Sequence, residues 1–299
     1  MKRIFFINAI VFSFIASSIF AQTDSLKNKI EQIISTKNAV VGVSIYGLEN
    51  NDTLNINNSM HFPLQSVFKF HIALAVLNEV DKGKLSLDQK IYIKKSDLLL
   101  NTWSPIREEY PNGNIKLSLA EIIKYTVSKS DNIGCDILLR LIGGTKTVNN
   151  YIHKIGIKDA NIQANEEEMH KEWNVQFTNW TTPQASSELL KVFYERKILT
   201  EKSYEYLWKI MLETISGNNR IKGELPTGTL VAHKTGTSDT NEQKVTAAVN
   251  DIGIVTLPNG NHFAISVYVS NSKENYETNE KIISDISKLA WDYFISKTK

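Results

Sequence analysis

The sequence predicts an α/β protein of the α+β type, in which an antiparallel five-stranded sheet is flanked by the terminal helices and carries an inserted all-helical lobe. Three observations support this fold class. Valine- and isoleucine-rich segments occur towards both ends of the chain, helical patterns fill the middle, and an amphipathic pattern closes it. A sheet assembled from both ends satisfies all three, so we expect an α/β lobe from residues 22–60 and 216–299 and a helical lobe from residues 61–215.

The first elements of the expected sheet are short strands. Residues 39–46 are rich in valine and isoleucine and predict a strand, and a polar turn at residues 49–52 leads to a second strand at residues 53–56. Residues 66–80 are apolar almost all round, which predicts a buried helix, and Gly83 is placed to end it.

The middle of the chain carries helix start signals, and strands return near the end. The helix signals are a capping box at Ser118, an apolar run over residues 132–142 ended by Gly143-Gly144, a cap with a following proline at Thr182, and a cap at Thr200 whose helix runs to about residue 215. Strands are predicted at residues 230–235, 245–257 and 262–270, with a turn at 258–260. The closing helix has Ile282, Ile286, Leu289 and Tyr293 on one face.

The N-terminus has the pattern of a cleaved signal peptide over residues 1–21. Lys2 and Arg3 precede an apolar run at residues 4–20, and Ala21 supplies a small residue for cleavage. The sequence therefore predicts export to the periplasm, with a membrane anchor as the alternative. No later run is long enough to span a bilayer, so we expect no stable membrane association after cleavage.

Composition excludes several function classes. The chain of 299 residues has 34 Lys and Arg against 32 Asp and Glu, and the basic excess equals Lys2 and Arg3 alone, which argues against nucleic acid as a partner. Cys135 is the only cysteine, so no internal disulfide can form. The six histidines form no pair with metal-ligand spacing. We therefore expect no metal, no cofactor and a monomer.

Three short motifs carry the chemistry. Ser66 and Lys69 lie three residues apart, so a helix would place the hydroxyl and the amine on one face. This Ser-x-x-Lys pattern also occurs at residues 270–273 and 296–299, and alone it is weak. Ser130-Asp131-Asn132 follows before a predicted helix, and Lys234-Thr235-Gly236 ends a predicted strand. This ordered set is the signature of class A β-lactamases and penicillin-binding proteins.

Acyl transfer explains why these residue types occur together. It needs a nucleophile, a base, a proton donor for the leaving group and an oxyanion site. Ser66 is the expected nucleophile, with Lys69 within reach of its proton, and Ser130 can protonate the departing nitrogen. Lys234 adds positive charge near the substrate. The hydroxyls of Thr235 and Thr237 are expected to face a substrate carboxylate, and the backbone N–H groups of Ser66 and Thr237 to form the oxyanion hole.

At these residues the chain resembles class A serine β-lactamases over nearly all of the mature protein, and within them the VEB- and PER-type extended-spectrum branch. The segments that carry the resemblance are residues 65–69, 102–105, 130–136, 164–166, 169–171, 217–220 and 232–237. The resemblance implies small-molecule β-lactam substrates. It also implies that Glu166 activates the water that hydrolyses the acyl-enzyme, that Asn132 binds the substrate's side-chain amide, and that Trp103 lines the cleft entrance. Arg220 would approach the substrate carboxylate in place of the strand arginine that many class A enzymes use, and Gly236 is a further expected substrate-binding residue.

The sequence departs from the commoner class A pattern around the loop of Glu166. His170 stands where an asparagine is usual, and the resemblance implies that it helps to position the hydrolytic water, with a plain surface histidine as the alternative. Ala164 and Asn179 cannot form the arginine–aspartate bridge that usually pins this loop. Asp136 replaces an asparagine and is expected to tie the loop down. In the resembling branch such changes accompany activity on bulky oxyimino-cephalosporins.

Some alternatives stay open at this point. Glu166 stands in a run of three glutamates, and the pattern alone does not choose among them. Either Lys69 or Glu166 could be the base for acylation. The competing functions are a penicillin-binding D,D-peptidase, which acylates and deacylates slowly, and a β-lactam sensor, which binds covalently without turnover.

Overall fold

The computed structural model describes residues 23–297, so the predicted signal peptide at residues 1–21 lies outside the described residues. The helices are α1 (residues 23–35), α2 (Phe68–Asp81), α3 (Pro105–Glu109), α4 (Leu119–Ser128), α5 (Asn132–Ile142), α6 (Thr145–Lys154), α7 (Glu166–Lys171), α8 (Pro183–Tyr194), α9 (Glu201–Leu212) and α10 (Tyr276–Ser296). The strands are β1 (Val40–Gly47), β2 (Thr53–Ile56), β3 (Phe62–Pro63), β4 (Lys90–Ile93), β5 (Ile115–Ser118), β6 (Ala160–Asn161), β7 (Trp180–Thr181), β8 (Val231–Thr237), β9 (Thr246–Thr256) and β10 (His262–Ser272).

Within the described residues, five strands form one antiparallel sheet in the order β2-β1-β10-β9-β8. The two N-terminal strands therefore pair with three strands from the end of the chain, which confirms the predicted fold class. Strand β8 lies at the edge, so one side of it has no neighbouring strand to bond its backbone.

The sheet is buried on both faces, which explains why its long strands read as nearly continuous apolar runs. In β10, Ile265 and Val267 pack into a core with α1 and α10, while Ala264 and Tyr268 belong to the core on the other face. That second face is covered by α8, because Ser187 Oγ lies 3.1 Å from Ser44 O. Helix α8 falls in the expected helical lobe, yet it packs on the sheet. The lobe boundaries at residues 60/61 and 215/216 stay a prediction.

Two predicted helices differ from the observed ones. Ser66 does not begin a regular α-helix, because residues Gln65–Val67 form a 3₁₀ turn and α2 starts only at Phe68. Gln65 has a φ of 46°, a left-handed conformation that cannot continue an α-helix. Helix α9 ends at Leu212 instead of residue 215, since the backbone N–H of Ile215 donates to Ser128 O at 3.1 Å and leaves the helical path.

The other predicted elements agree with the structure to within one or two residues. The caps at Ser118, Asp131, Thr182 and Thr200 each accept a backbone N–H of the first turn that follows. Across residues 23–297, no helix combines the length and the apolar character that a membrane span needs.

Candidate active site

A cleft of about 830 Å³ collects most of the residues that the sequence singled out. The predicted site residues that line it are Ser66, Trp103, Ser130, Asn132, Glu166, His170, Thr235 and Thr237. The remaining ones are buried behind its wall: Lys69, Asp136, Arg220, Lys234 and Gly236. The structure thus brings together residues separated by more than half of the chain.

Lys69 is the centre of the site. Its side chain is fully buried on the first turn of α2, and Nζ lies 2.7 Å from Ser66 Oγ and 2.6 Å from Glu166 Oε1. Nζ also donates to Asn132 Oδ1 at 2.6 Å and to Ser130 O at 3.1 Å. Four oxygens therefore surround an ammonium group that has three protons. An ammonium group can therefore donate to only three of these oxygens at one time. Because Nζ lies between Ser66 Oγ and Glu166 Oε1, it is placed to relay a proton from the hydroxyl to the carboxylate.

The second lysine faces the hydroxyl of Ser130. Lys234 Nζ donates to Ser130 Oγ at 2.9 Å and to Thr235 O at 2.8 Å. Burial, together with the positive charge of Lys69, holds the Lys234 pKa well below the ordinary lysine value. Ser130 itself has a φ of 56°, a strained conformation for a residue other than glycine. Asp131 fixes that conformation, because its carboxylate accepts the N–H of Gly134 at the start of α5 and is buried.

The three glutamates of α7 differ in their burial and in the groups that they contact. Glu166 is buried and points at Lys69, whereas Glu167 is exposed and pairs with Lys171 at 3.3 Å. Glu168 accepts the N–H of Asn165 at 2.9 Å in a capping box. Of these three glutamates, Glu166 is therefore the one that faces Lys69, which the pattern alone did not reveal.

Asp136 ties the start of α7 to α5, as expected. Its two carboxylate oxygens accept the backbone N–H groups of Glu166 at 2.9 Å and Glu167 at 3.1 Å. Burial raises the Asp136 pKa to about 6, and the two N–H donors oppose that rise only in part. The carboxylate thus stabilises the position of the Glu166 backbone at the cost of its own desolvation.

Asn179 pins the other end of this loop without an ion pair. Its Oδ1 accepts the N–H groups of Gln163 at 2.7 Å and Ala164 at 2.9 Å, and its Nδ2 donates to Ala164 O at 2.8 Å. The side chain is fully buried. The residue types at positions 164 and 179 correctly excluded an ion pair between them. They did not reveal that the neutral amide of Asn179 binds the backbone of residue 164 instead.

A second link, which the sequence did not predict, joins the loop to the nucleophile. Gln65 Nε2 donates to Gln176 Oε1 at 2.6 Å, and Gln176 Nε2 donates to Trp173 O at 2.7 Å. Both glutamines are buried in the wall of the cleft. The turn that carries Ser66 is thereby bonded to the segment that follows α7.

Strand β8 approaches the nucleophile very closely. A Cβ atom at Gly236 would lie 2.6 Å from Leu64 O and 3.1 Å from Gln65 Cβ, so only glycine fits this contact. The N–H of Ser238 donates to Ala248 O on β9 at 2.9 Å. Because backbone groups alternate along a strand, the N–H of Thr237 points away from β9, towards the free edge and Ser66.

Arg220 is deeply buried, with 2% of its surface exposed, and it does not line the cleft. Its Nε donates to Glu280 Oε1 at 3.0 Å, and Nη1 donates to the carbonyls of Gly236 and Asn250. Nη2 donates to Thr237 Oγ1 at 2.7 Å and to the hydroxyl of Tyr276 at 2.8 Å. Partners from the described residues therefore occupy all of its N–H donors, and the structure does not place the guanidinium in direct reach of a ligand.

His170 and Trp103 both line the cleft. His170 is exposed, and its Nδ1 lies 2.9 Å from Glu166 O, one turn earlier in α7. Trp103 is 55% exposed, and its ring N–H donates to Lys129 O at 3.0 Å. Among residues 23–297, no group of three or more His, Cys, Asp or Glu side chains is placed to hold a metal ion.

Comparisons with known proteins show which family this chain resembles in sequence and in fold. A sequence model described as the "Beta-lactamase enzyme family" matches residues 25–294. "Beta-lactamase VEB-1" of Pseudomonas aeruginosa is 56% identical over 279 residues, which cover 93% of this chain and 93% of the relative. "Extended-spectrum beta-lactamase PER-1" of the same organism is 42% identical over 285 residues, which cover 95% and 92%. The crystal structure of "TLA-3 extended-spectrum beta-lactamase" has 59% identity and a TM-score of 0.91, and the match covers 91% of this chain and 99% of that one.

Proposed function

The chain belongs to the β-lactamase enzyme family, as its resemblance to the class A serine enzymes predicted, and from this premise we propose that Ser66 opens β-lactam rings through an acyl-enzyme that Glu166 helps to hydrolyse. The observation that carries the proposal is the position of Lys69, buried between Ser66 Oγ and Glu166 Oε1. This arrangement gives the serine a path for its proton and gives the ester a base for its hydrolysis.

In the acylation step, Ser66 Oγ bonds to the lactam carbonyl carbon and the ring C–N bond breaks. The proton of the serine passes to Lys69 or, through it, to Glu166. The departing nitrogen receives the proton of Ser130, and Ser130 regains a proton from Lys234, whose Nζ already donates to its oxygen. The proton taken from Ser66 replaces the one that Lys234 gives up, so Glu166 is again a carboxylate when the acyl-enzyme has formed. The N–H groups of Ser66 and Thr237 stabilise the negative charge that develops on the carbonyl oxygen.

In the deacylation step, Glu166 removes a proton from a water molecule that attacks the ester carbon. The ester bond breaks, and Ser66 takes up the proton that Glu166 removed from the water, by way of Lys69, so both groups return to their starting states. Asp136, Asn179 and Gln176 act by position, because their hydrogen bonds fix the loop from which Glu166 points. His170, bonded to the Glu166 carbonyl, stands one helical turn away and helps to orient the water.

Substrate recognition is proposed to use Asn132 and Trp103, which are neighbours in the cleft wall, since the backbone N–H of Asn132 donates to Trp103 O at 3.0 Å. Asn132 has an amide N–H to spare for the substrate's side-chain carbonyl, since its Oδ1 accepts from Lys69 and its other donor reaches Thr102 Oγ1 at 2.7 Å. Trp103 offers an exposed aromatic face to the ligand. PER-1 and TLA-3 are named as extended-spectrum enzymes, and we propose activity on oxyimino-cephalosporins here as well. Ceftazidime left intact by an enzyme that hydrolyses penicillins would refute this part.

The decisive experiment follows nitrocefin from the first turnover into the steady state. We expect continued hydrolysis, with no burst limited to one product per enzyme. A burst of acylation without later turnover would favour the D,D-peptidase or the sensor. The same sample on a sizing column tests the expected monomer.

Export to the periplasm is proposed from the basic, apolar and small residues of positions 1–21. Expression of the full chain in a Gram-negative host, followed by fractionation, tests this proposal. Periplasmic protein that starts after residue 21 is expected, whereas full-length protein in the membrane fraction would support the anchor.

A further inference from the structure

The occupied donors of Arg220 raise the question of which group receives the carboxylate of a β-lactam. The guanidinium has five N–H groups, and five acceptors of the described chain surround it. Its charge is also balanced by Glu280, which is itself buried. A ligand carboxylate could bond Arg220 directly only by displacing one of these acceptors.

Two of the five acceptors are hydroxyl groups that reach the cleft. Thr237 and Tyr276 both line it, and each accepts one hydrogen of Arg220 Nη2. Tyr276 is the first residue of α10, and its side chain is about half exposed at 52%. The backbone there is fixed, because Asn275 caps the helix by accepting the N–H of Thr278 at 2.7 Å.

The direction of these hydrogen bonds decides what each hydroxyl can do. A hydroxyl oxygen that accepts from a guanidinium has its own O–H directed away from that donor. Tyr276 and Thr237 both line the cleft, so the O–H of each can be directed into it, and the positive charge behind each oxygen makes its O–H a stronger donor to an anion. Thr235 adds a third hydroxyl in the same wall, 2.6 Å from Ser216 Oγ.

We propose that Tyr276 is a substrate-positioning residue whose phenol O–H donates to the carboxylate of the bound β-lactam, with Arg220 acting through it and through Thr237. The inference rests on the proposed function and assigns a ligand group to a residue that the sequence did not single out. Recognition of the carboxylate then depends on hydroxyl donors backed by a buried cation.

The test pairs a change in the enzyme with a change in the substrate. Tyr276→Phe keeps the ring and removes the O–H, and the methyl ester of benzylpenicillin keeps the lactam and removes the anion. We expect kcat/KM for benzylpenicillin to fall about tenfold in the variant, as for a lost hydrogen bond to a charged group. For the methyl ester we expect no change, so the preference for the free acid falls by the same factor.

Tyr92→Phe is the matched control. Tyr92 is also about half exposed at 49%, and its hydroxyl donates to Asn114 Oδ1 at 3.0 Å, but it does not line the cleft. Neither substrate should distinguish this variant from the wild type. Rates are referred to the concentration of folded enzyme, measured by circular dichroism, so that misfolded protein does not enter the comparison.

Two results would overturn the proposal. Equal losses on the acid and the ester would assign Tyr276 a structural role, and an unchanged preference would leave the carboxylate to other groups. Failure of the wild type to hydrolyse benzylpenicillin is a different outcome, because it would refute the proposed function before Tyr276 is tested.

Discussion

Asn179 is the residue through which the loop of Glu166 can be loosened without touching any group that reacts. Asn179→Ala removes the bonds to Gln163 N–H, Ala164 N–H and Ala164 O. The two groups of Ala164 are buried and would stay unpaired, whereas Gln163 is exposed and can recover water. At about 1.5 kcal/mol for each buried group, the variant should lose about 3 kcal/mol of unfolding free energy.

The same substitution should slow deacylation more than acylation. The loop between residues 163 and 179 would keep its hydrogen bonds to Asp136 and Gln65 and lose those to Asn179, so the Glu166 carboxylate would spend less time in place. We expect deacylation to slow about 100-fold, towards the lower range of what a general base contributes. Urea unfolding measures the first effect, and the lifetime of the acyl-enzyme by quenched-flow mass spectrometry measures the second.

Asn161→Ala is the control for this prediction. Asn161 makes one bond from the same region, Nδ2 to Thr178 O at 2.7 Å, and its loss should cost only about 1 kcal/mol. The reasoning is refuted if Asn179→Ala is no less stable than this control, or if its acyl-enzyme disappears at the wild-type rate.

Three further predictions concern the groups around the nucleophile. The raised Asp136 pKa means that the folded state binds a proton more tightly than the unfolded state. The unfolding free energy should therefore fall by about 3 kcal/mol as the pH rises from 4 to 6. Urea titrations of Asp136→Asn should lack this fall. Because the Lys234 pKa is lowered, its positive charge is lost at a lower pH than for an ordinary lysine, and kcat/KM for benzylpenicillin should decrease as the pH rises through that pKa. Lys234→Arg should move this decrease to higher pH. A decrease at the same pH in the variant would assign it to another group. Gly236→Ala would force β8 away from Leu64, and stopped-flow acylation should slow about 100-fold through the displaced oxyanion donors, whereas an unchanged rate would contradict the close contact.

The sequence predicted the parts of the molecule that depend on strong local signals. The apolar strands, the capped helices and the three motifs are each recognised from neighbouring residues. The structure joins Ser66, Lys69, Ser130 and Lys234 in one series of hydrogen bonds, from Ser66 to Lys69, from Lys69 to the backbone of Ser130, and from the hydroxyl of Ser130 to Lys234. These residues could be singled out because the proposed acyl transfer requires their chemistry in combination. Glu166 needed the structure, since burial separates it from its two neighbours.

The supporting hydrogen bonds could not be predicted because they depend on the path of loops. The amides of Asn179 and Gln176 bind groups that only the folded chain brings near, and nothing in their sequence context distinguishes them from surface polar residues. The 3₁₀ turn at Ser66 follows from a left-handed Gln65, a conformation that glycine usually signals. The resemblance implied that Arg220 contacts a ligand. The sequence could not show that its N–H groups already have acceptors, because only the folded chain brings Glu280 and Tyr276 beside it.

The trapping of an acyl-enzyme by Glu166→Gln tests the central claim most directly. With the base removed, benzylpenicillin should acylate Ser66 and remain attached, and intact-protein mass spectrometry should show one whole molecule of substrate added for each enzyme molecule. Glu167→Gln, the matched control, should turn the substrate over and show no lasting adduct. The absence of an adduct in the first variant, or its accumulation only in the second, would contradict the assignment of Ser66 and Glu166.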